Sequence, residues 1–380
     1  MTTRPRRHTR SVVAAVAVAL AGVLTLAACS PGETAAKPTT AAGAATDTRK
    51  TETITDELGR QVELRLPVKK VYTDLWYQTE VVRAIGAGDT IVGIDDTSSP
   101  KINTANAEYF KEFADTPSAG DYDEPNWEVI AQSGAEVFLA RRNSPWQEAE
   151  EKLAPFGIKV VVVSTWDPKV LREELPLLGQ IFGHEDGAAK VAALYDDIGN
   201  LLTTRLKGVE PKKVYFENNA DNVTSVPGSG WHDAIVAGGG DNIFADVDVS
   251  NDSSANVHTY TIDPADVIAR NPEFIIHNGV DGLPTGYAPW TTEQLSGQAQ
   301  KIADRPGFSG ISAVKNGNVY VFNNFFYSAL GKQIGALAVA KWLHPDKFTD
   351  VNLDDYLGQW LELQGVEAKP ASDYFYKLGS

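Results

Sequence analysis

Cysteine, methionine and histidine are scarce in this chain, whose 380 residues include one Cys, one Met and six His. A single cysteine excludes intrachain disulfides and the thiolate sets that hold iron–sulfur clusters or structural zinc. Basic residues are outnumbered, since 34 Lys and Arg stand against 50 Asp and Glu and leave a net charge of −16 at pH 7. A surface this acidic repels nucleic acid and anionic lipid headgroups, so we expect neither as a partner.

The first 29 residues differ in composition from the rest. Arginine occurs at positions 4, 6, 7 and 10, residues 11–26 carry no charge, and Leu26-Ala27-Ala28 leads directly into Cys29. Basic, apolar and small-residue segments in this order predict a secretory signal peptide over residues 1–28. Its removal would take away four arginines and no acid, so the net charge would fall from −16 to −20.

The cysteine after Leu-Ala-Ala resembles the bacterial lipobox. The resemblance implies a diacylglycerol group on Cys29 as the covalently bound group, membrane attachment through this lipid, and a location on the extracytoplasmic face of the cell membrane. The alternatives are an ordinary signal peptide with an incidental cysteine and an uncleaved anchor, although the apolar run is short for a span of ~20 residues.

A segment rich in Pro, Thr and Ala predicts a disordered tether over residues 29–51. After this segment, short apolar runs alternate with helical patterns. Such alternation indicates buried, mostly parallel sheets. The pattern restarts after residues 185–207, whose apolar residues have helical spacing. We predict an α/β fold of two Rossmann-like lobes joined by one long helix. Its parts are an N-terminal lobe (52–184), a connecting helix (185–208), a C-terminal lobe (209–346), and a C-terminal helix and tail (347–380) packing back on the N-terminal lobe.

Residues that follow the predicted strands are the candidate ligand-binding residues, because ligands of open α/β sheets bind at the carboxyl ends of the strands. The adjacent Arg141 and Arg142 would complement an anion through forked hydrogen bonds, unless one of them pairs with Asp121, Asp123 or Glu124. The aromatic residues suit a large, flat or apolar ligand. The candidates are Tyr72, Trp76, Tyr77, Arg141, Arg142, Trp166, Trp231, His232, Tyr260, Asn278, Asn323 and Tyr327.

Several segments between Thr53 and Leu363 resemble, in order and spacing, the substrate-binding proteins of ABC importers for ferric siderophores, haem and cobalamin. They are ITDELGR (54–60), AIGAGDTIVGI (84–94), EVIAQSGAEV (128–137), GSGWHDAI (228–235), GGGDNIFAD (238–246), TIDP (261–264) and NPEFII (271–276). The resemblance implies a monomer that captures a ferric siderophore, an Fe(III) chelate, in an inter-lobe cleft. It also implies delivery to an ABC permease dimer with its ATPase. The connecting helix favours only a small closure on binding.

The same resemblance implies one acidic residue on each lobe that docks to the permease. By local pattern these are Glu112, with Glu108 as the alternative, and Asp241. Haem and cobalamin are the alternative ligands: haem would take an axial Tyr260 or His232, and cobalamin would favour aromatic residues over paired arginines.

Other functions remain as alternatives. A bare zinc ion held by histidines from both lobes does not fit, because residues 29–183 contain no histidine. A bare Fe³⁺ site built from Tyr72, Tyr77, Tyr260 and Asp95 stays open, as does a surface sensor or adhesion module. The sequence contains no nucleophile elbow and no phosphate-binding glycine loop, so we do not expect an enzyme.

Overall fold

The computed structural model describes residues 47–249, 255–327 and 330–380. Residues 49–380 form one compact unit in which strands and helices alternate. The predicted signal peptide, Cys29 and most of the predicted tether lie outside the described residues. Within the described part of the chain, no helix combines the length and the apolar character needed to cross a membrane.

The compact unit begins with an antiparallel hairpin of β1 (Lys50–Thr55) and β2 (Gln61–Leu66). Asp56 builds its turn, because its side chain accepts hydrogen bonds from the backbone N–H groups of Leu58 (3.1 Å) and Arg60 (3.0 Å). Gly59 supplies the left-handed conformation, with φ of +77°. Because β1 already includes residues 50 and 51, the tether predicted over residues 29–51 is two residues too long.

The first lobe contains a four-stranded sheet that is parallel throughout, in the order β4-β3-β5-β6. All residues of β3 and β5 are buried, as expected for a parallel sheet covered by helices. The elements are β3 (Val71–Thr73), α1 (Trp76–Val82), β4 (Ile91–Gly93), α2 (Trp127–Gln132), β5 (Val137–Ala140), α3 (Trp146–Leu153), β6 (Lys159–Val162) and α4 (Pro168–Phe182).

A single long helix, α5 (Glu185–Arg205), follows the first lobe, where the sequence predicts the connecting helix. Its 21 residues span about 30 Å at 1.5 Å per residue. Gly187 allows a close approach to the first lobe, since a Cβ at this position would lie 1.9 Å from the carbonyl oxygen of Ile85. The helix is therefore fitted tightly against residues 83–87.

The second lobe contains a five-stranded sheet in the order β13-β12-β11-β7-β9, in which only β13 is antiparallel. These two sheets and α5 confirm the predicted fold class. The elements are β7 (Lys212–Asn218), β8 (Val223–Thr224), α6 (Gly230–Ala237), β9 (Gly240–Asn242), β10 (Tyr260–Thr261), α7 (Pro264–Arg270), β11 (Phe274–Asn278), α8 (Thr292–Ala303), α9 (Ser312–Lys315), β12 (Val319–Phe322), α10 (Gly331–Leu343), α11 (Leu353–Leu363) and β13 (Phe375–Lys377).

The C-terminal segment divides between the lobes, which corrects the prediction that all of residues 347–380 pack on the first lobe. Gln364, directly after α11, accepts a hydrogen bond from Arg83 of the first lobe at 2.9 Å. β13 instead pairs with β12 of the second sheet, with Phe375 opposite Phe322. Phe375 also packs on Trp342 at 5.1 Å between ring centroids. The last strand thus covers an apolar sheet edge that would otherwise be open.

Candidate binding cleft

A cleft of about 510 Å³ lies between the lobes, at the carboxyl ends of the parallel strands. Its described walls consist of aromatic rings, side-chain amides and few charges. The rings are Trp76, Tyr77, Tyr122, Trp166 and Trp231, and the amides are Asn103, Asn106, Asn143, Asn218, Asn219, Asn256 and Asn324. The acidic and basic side chains are Asp123, Arg141, His258 and Lys332.

Trp76 and Tyr77 line the cleft as predicted, because α1 begins three residues after β3. Gln78 fixes this turn: its Oε1 accepts from the N–H of Asp74 at 2.8 Å, and its Nε2 donates to the carbonyl of Val163 at 2.9 Å. The two rings lie 4.9 Å apart. The first turn of α1 therefore presents an aromatic pair on a rigid support.

Arg141 also lines the cleft, but its guanidinium group is held by the protein. Its Nε donates to Asp74 at 2.7 Å, its Nη2 donates to the carbonyl of Tyr122 at 2.9 Å, and Asp123 lies 3.6 Å away. The Arg141 and Asp74 side chains are only 5% and 2% exposed. Burial raises the pKa of Asp74, and the charge of Arg141 partly offsets this. Arg141 is thus largely neutralised inside the first lobe.

Arg142 is not among the described residues that line the cleft. It donates to Glu57 of the β1–β2 hairpin at 2.8 Å and to Asp167, and its guanidinium carbon lies 4.6 Å from the centroid of the Trp166 ring. The structure therefore brings only Arg141 of the two arginines to the described cleft wall, and the proposed forked recognition of an anion by both side chains is not assembled there. Their acidic partners lie far away in the sequence, apart from Asp123, the alternative partner named for the pair.

Trp166 and His258 meet across the cleft, from the first and second lobes respectively. Their rings are perpendicular at 88°, with centroids 5.1 Å apart. Burial, together with the charges of Lys332 and Arg142, lowers the pKa of His258 to about 4. The indole N–H of Trp166 is buried and has no acceptor in the described part of the chain. This pair gives the cleft a neutral imidazole and an unused hydrogen-bond donor.

The second lobe presents Trp231 and a set of amides. Ser229 caps α6 by accepting a hydrogen bond from the N–H of Trp231 at 3.3 Å, and the Trp231 ring stacks on Phe216 at 5.5 Å. Asn278 lies behind the wall rather than in it. Its Nδ2 donates to the Oδ1 atoms of Asn218 (2.8 Å) and Asn219 (3.0 Å), both of which face the cleft. Asn278, predicted to contact ligand, therefore orients two residues that do line the cleft.

Lys332, at the start of α10, is a cleft residue that sequence reasoning missed. It is 3% exposed, and its Nζ lies 4.2 Å from the ring centroid of Tyr77 and 5.2 Å from that of Trp231. Burial lowers its pKa to about 7, although the charges of Glu80 and Asp167 act in the opposite direction. The apolar helix sequence GKQIGALAVAKWL gives no periodic signal that this lysine faces a cleft.

Tyr72, predicted to face the ligand, lies in the core instead. Its hydroxyl donates to the carbonyl of Ile94 and accepts from the N–H of Ala119 at 2.7 Å. Its ring occupies space left by Gly93, where a Cβ would lie 2.0 Å from the ring. Alternation along β3 sends this side chain to the sheet face that packs on Ala119, Ile130 and Phe138, whereas Val71 packs on the other face.

Of the four remaining candidates, three are not among the described residues that line the cleft. The Nδ1 of His232 lies 3.1 Å from the Nδ2 of Asn242, Tyr260 belongs to β10, and neither is among the described cleft residues. Asn323 is fully buried and holds the turn after β12 by accepting from the N–H of Phe325 at 3.1 Å, so that its neighbour Asn324 faces the cleft. The side chain of Tyr327 lies outside the described residues.

Metal binding by clustered acids or histidines has no candidate in the part of the chain that the structure describes. Among the described residues, no three His, Cys, Asp or Glu side chains come together as a metal site. Of the residues considered for bare Fe³⁺, Asp95 accepts hydrogen bonds from the N–H groups of Thr97 (3.0 Å) and Ser98 (3.2 Å), and burial raises its pKa to about 6. Asp95 thus caps a turn, and Tyr72 lies in the core.

The two predicted docking residues differ in their surroundings. Glu112 accepts a hydrogen bond from Arg83 at 2.7 Å, and its side chain is 43% exposed. The alternative residue, Glu108, pairs with Lys369 at 3.0 Å. Asp241 is exposed in β9.

The chain is similar to proteins of known class in sequence and in fold. Residues 75–324 match the family described as periplasmic binding protein. The chain is 24% identical over 306 residues to the ABC transporter substrate-binding lipoprotein YvrC of Bacillus subtilis, covering 78% of this chain and 87% of that protein. It is 22% identical over 233 residues to the vitamin B12-binding protein of Vibrio parahaemolyticus, covering 60% of this chain and 77% of that protein.

Among solved structures, the TroA-like periplasmic binding protein FepB of Veillonella parvula has the same fold. The TM-score is 0.69 at 18% identity, over 86% of this chain and 99% of that chain. The family resemblance predicted from the sequence is thus confirmed, as is the expectation that the protein is not an enzyme, since its relatives are solute-binding proteins. With a family match over residues 75–324 and a two-lobed α/β fold around a cleft, this chain belongs to the periplasmic binding protein family.

Proposed function

We propose that this protein is the substrate-binding component of an ABC importer and that its cargo is a compact ferric siderophore of low net charge. The observation that carries the proposal is the composition of the cleft, which joins five aromatic rings to seven asparagine amides. Rings give contact area to a bulky chelate, and amides donate to and accept from its peptide-like groups. A cleft of about 510 Å³ lies within the usual range for small-molecule sites.

The ion pairs of Arg141 and Arg142 favour hydroxamate over catecholate chelates as the cargo. A ferric tris-catecholate keeps three negative charges, whereas three hydroxamate anions balance Fe³⁺ and leave a neutral complex. Arg141 and Arg142 are both bound to acids of the first lobe, so neither is available to offset several negative charges. Burying such charges without partners would be strongly unfavourable.

Cobalamin is the second candidate, because its peripheral amides suit the same asparagine-rich wall and one relative is a vitamin B12-binding protein. Haem has less support. The axial ligands proposed for it, His232 and Tyr260, are not among the described residues that line the cleft.

Tryptophan fluorescence tests the ligand class, since Trp76, Trp166 and Trp231 line the cleft. The purified protein would be titrated with ferric hydroxamates, ferric catecholates, haemin, cyanocobalamin and ferric citrate. Quenching at sub-micromolar concentration by a neutral ferric hydroxamate is expected. Quenching by cyanocobalamin alone would show that the cargo is cobalamin and not a siderophore. Quenching by none of these compounds would refute the proposal.

We also propose that a lipid on Cys29 attaches the protein to the membrane and that two acidic residues dock it to the permease. A monomer carrying diacylglycerol on Cys29 would stay at the extracytoplasmic face of the membrane and present Glu112 and Asp241 to the permease. Cys29→Ala is expected to release the protein from the membrane fraction. Glu112→Lys with Asp241→Lys is expected to abolish uptake without weakening ligand binding. Glu293→Lys, a reversal at an exposed position on α8, is the matched control.

A further inference from the structure

Lys332 differs from Arg141 and Arg142 in having no carboxylate at hydrogen-bond distance among the described residues, although Glu80 and Asp167 act on its charge from further away. Arg141 and Arg142 are each paired with carboxylates at hydrogen-bond distance. The Nζ of Lys332 instead lies over the faces of two aromatic rings. A lysine that is 97% buried and lacks an acceptor is costly unless something else supplies one.

The surroundings of Lys332 are shaped to hold it in place. The side-chain stem runs past Gly230, where a Cβ would lie 3.3 Å from both Cδ and Cε of the lysine. Tyr77 of the first lobe and Trp231 of the second lobe then face the ammonium group from two sides. The charge is therefore held at the junction of the lobes, in the wall of the cleft.

Two acids, a histidine and a tyrosine are the titratable side chains that lie near Lys332. The acids are Glu80 of α1 and Asp167 next to α4, both of which favour the charged lysine. His258 has a pKa of about 4, and burial raises the pKa of Tyr77 above its usual 10. The lysine itself has a pKa of about 7, so its own charge changes between about pH 6 and pH 9.

We propose that the ammonium group of Lys332 binds an anionic oxygen of the chelate, so that the protein selects chelates carrying a single carboxylate and holds them more tightly in mildly acidic than in alkaline medium. This inference rests on the proposed function, since it concerns the same cleft. Recognition follows from the chemistry: an acceptor from the ligand would complete the hydrogen bonding of the lysine. An oxyanion would also favour its protonated form.

Two probes that share a ferric tris-hydroxamate core carry opposite charges at one end. Ferric desferrioxamine B carries an ammonium group at its free end, and its N-succinyl derivative carries a carboxylate there. At about pH 6 the N-succinyl derivative is expected to bind at least about tenfold more tightly than the parent. Its affinity is expected to fall by about tenfold to a hundredfold between pH 6 and pH 9, as the lysine loses its proton.

Three variants test whether Lys332 is responsible. Lys332→Met is expected to bind both probes equally and without this pH dependence. Lys332→Arg is expected to keep the preference and lose the pH dependence, because guanidinium stays charged. Lys315→Met removes the same charge at an exposed position of α9 and is expected to behave as wild type. Circular dichroism of each variant verifies folding. The pH dependence of binding by the wild-type protein tests the inference even if a variant does not fold.

The outcomes separate the two proposals. If no chelate in the ligand panel binds, the proposed function fails, and this inference falls with it. If chelates bind but the N-succinyl derivative has no advantage at pH 6, or if Lys332→Met matches Lys315→Met with both probes, the inference alone is overturned. In that case Lys332 serves only to join the lobes.

Discussion

Replacing Lys332 by methionine is expected to stabilise the ligand-free protein, although it removes a residue of the proposed binding site. Methionine has similar length, fills irregular apolar space and carries no charge. Burial lowers the lysine pKa from 10.5 to about 7. At 1.36 kcal/mol per pKa unit, holding the charged form costs on the order of 4 kcal/mol near neutral pH. Losing the contacts with two rings offsets about 1 kcal/mol, so the net gain is about 3 kcal/mol.

The sign of the pH dependence follows from the lowered pKa. Below about pH 7 the folded protein must hold a buried ammonium group, so this contribution opposes folding in full. As the pH rises from 7 toward 10.5, the folded protein keeps the neutral lysine while the unfolded chain still binds a proton, and the penalty disappears. The advantage of the methionine variant is therefore largest near pH 6 and vanishes near pH 10.5.

Urea unfolding followed by fluorescence measures this difference at about pH 6, 8 and 10. Lys315→Met serves as the control, and its exposed position predicts a change within about 0.5 kcal/mol at every pH. A gain from Lys332→Met that stays constant over this range, or a loss of stability at pH 6, would show that burial of the ammonium group is not the source of the effect.

Three further predictions concern stability. Arg141→Met is expected to lower the free energy of unfolding by about 3 to 5 kcal/mol, because Asp74 is left buried without its partner, and Asp74→Asn in the same chain should restore part of it. Gly93→Ala is expected to cost about 3 kcal/mol or more in urea unfolding, since the added methyl would overlap Tyr72, and Tyr72→Leu should relieve it. Because the pKa of His258 is lowered to about 4, stability should fall as the pH drops from 6.5 to 4, by up to about 3 kcal/mol, and His258→Asn should flatten that part of the pH profile.

The sequence was sufficient to predict the order of elements because short buried strands and amphipathic helices have distinct periods. The rule that ligands bind at the carboxyl ends of strands also selected Trp76, Trp166 and Trp231, which line the cleft. The rule could not tell Asn323 from Asn324, because the two neighbours point in different directions. Asn323 holds the turn after β12, and Asn324 faces the cleft.

The sequence also failed to predict the positions of Arg142 and Lys332, because both depend on partners that are distant in the sequence. Arg142 follows a strand as a ligand-binding residue should, but its carboxylate partner Glu57 is 85 positions away in a hairpin. Lys332 occurs within a buried helix whose sequence reads as core, and only the fold shows that Tyr77 of the other lobe lies beside it. Such pairings depend on tertiary packing, which local pattern does not encode.

The tightly fitted connecting helix has a consequence for the kinetics of uptake. α5 is continuous over 21 residues and approaches residues 83–87 at Gly187 more closely than any larger side chain would allow. Lobes joined in this way have little freedom to swing, so the empty and the loaded protein would offer a transporter nearly the same outline. Empty copies would then compete with loaded ones for the same permease. At a fixed supply of cargo, uptake would rise with the amount of binding protein only up to a maximum and would decline beyond it.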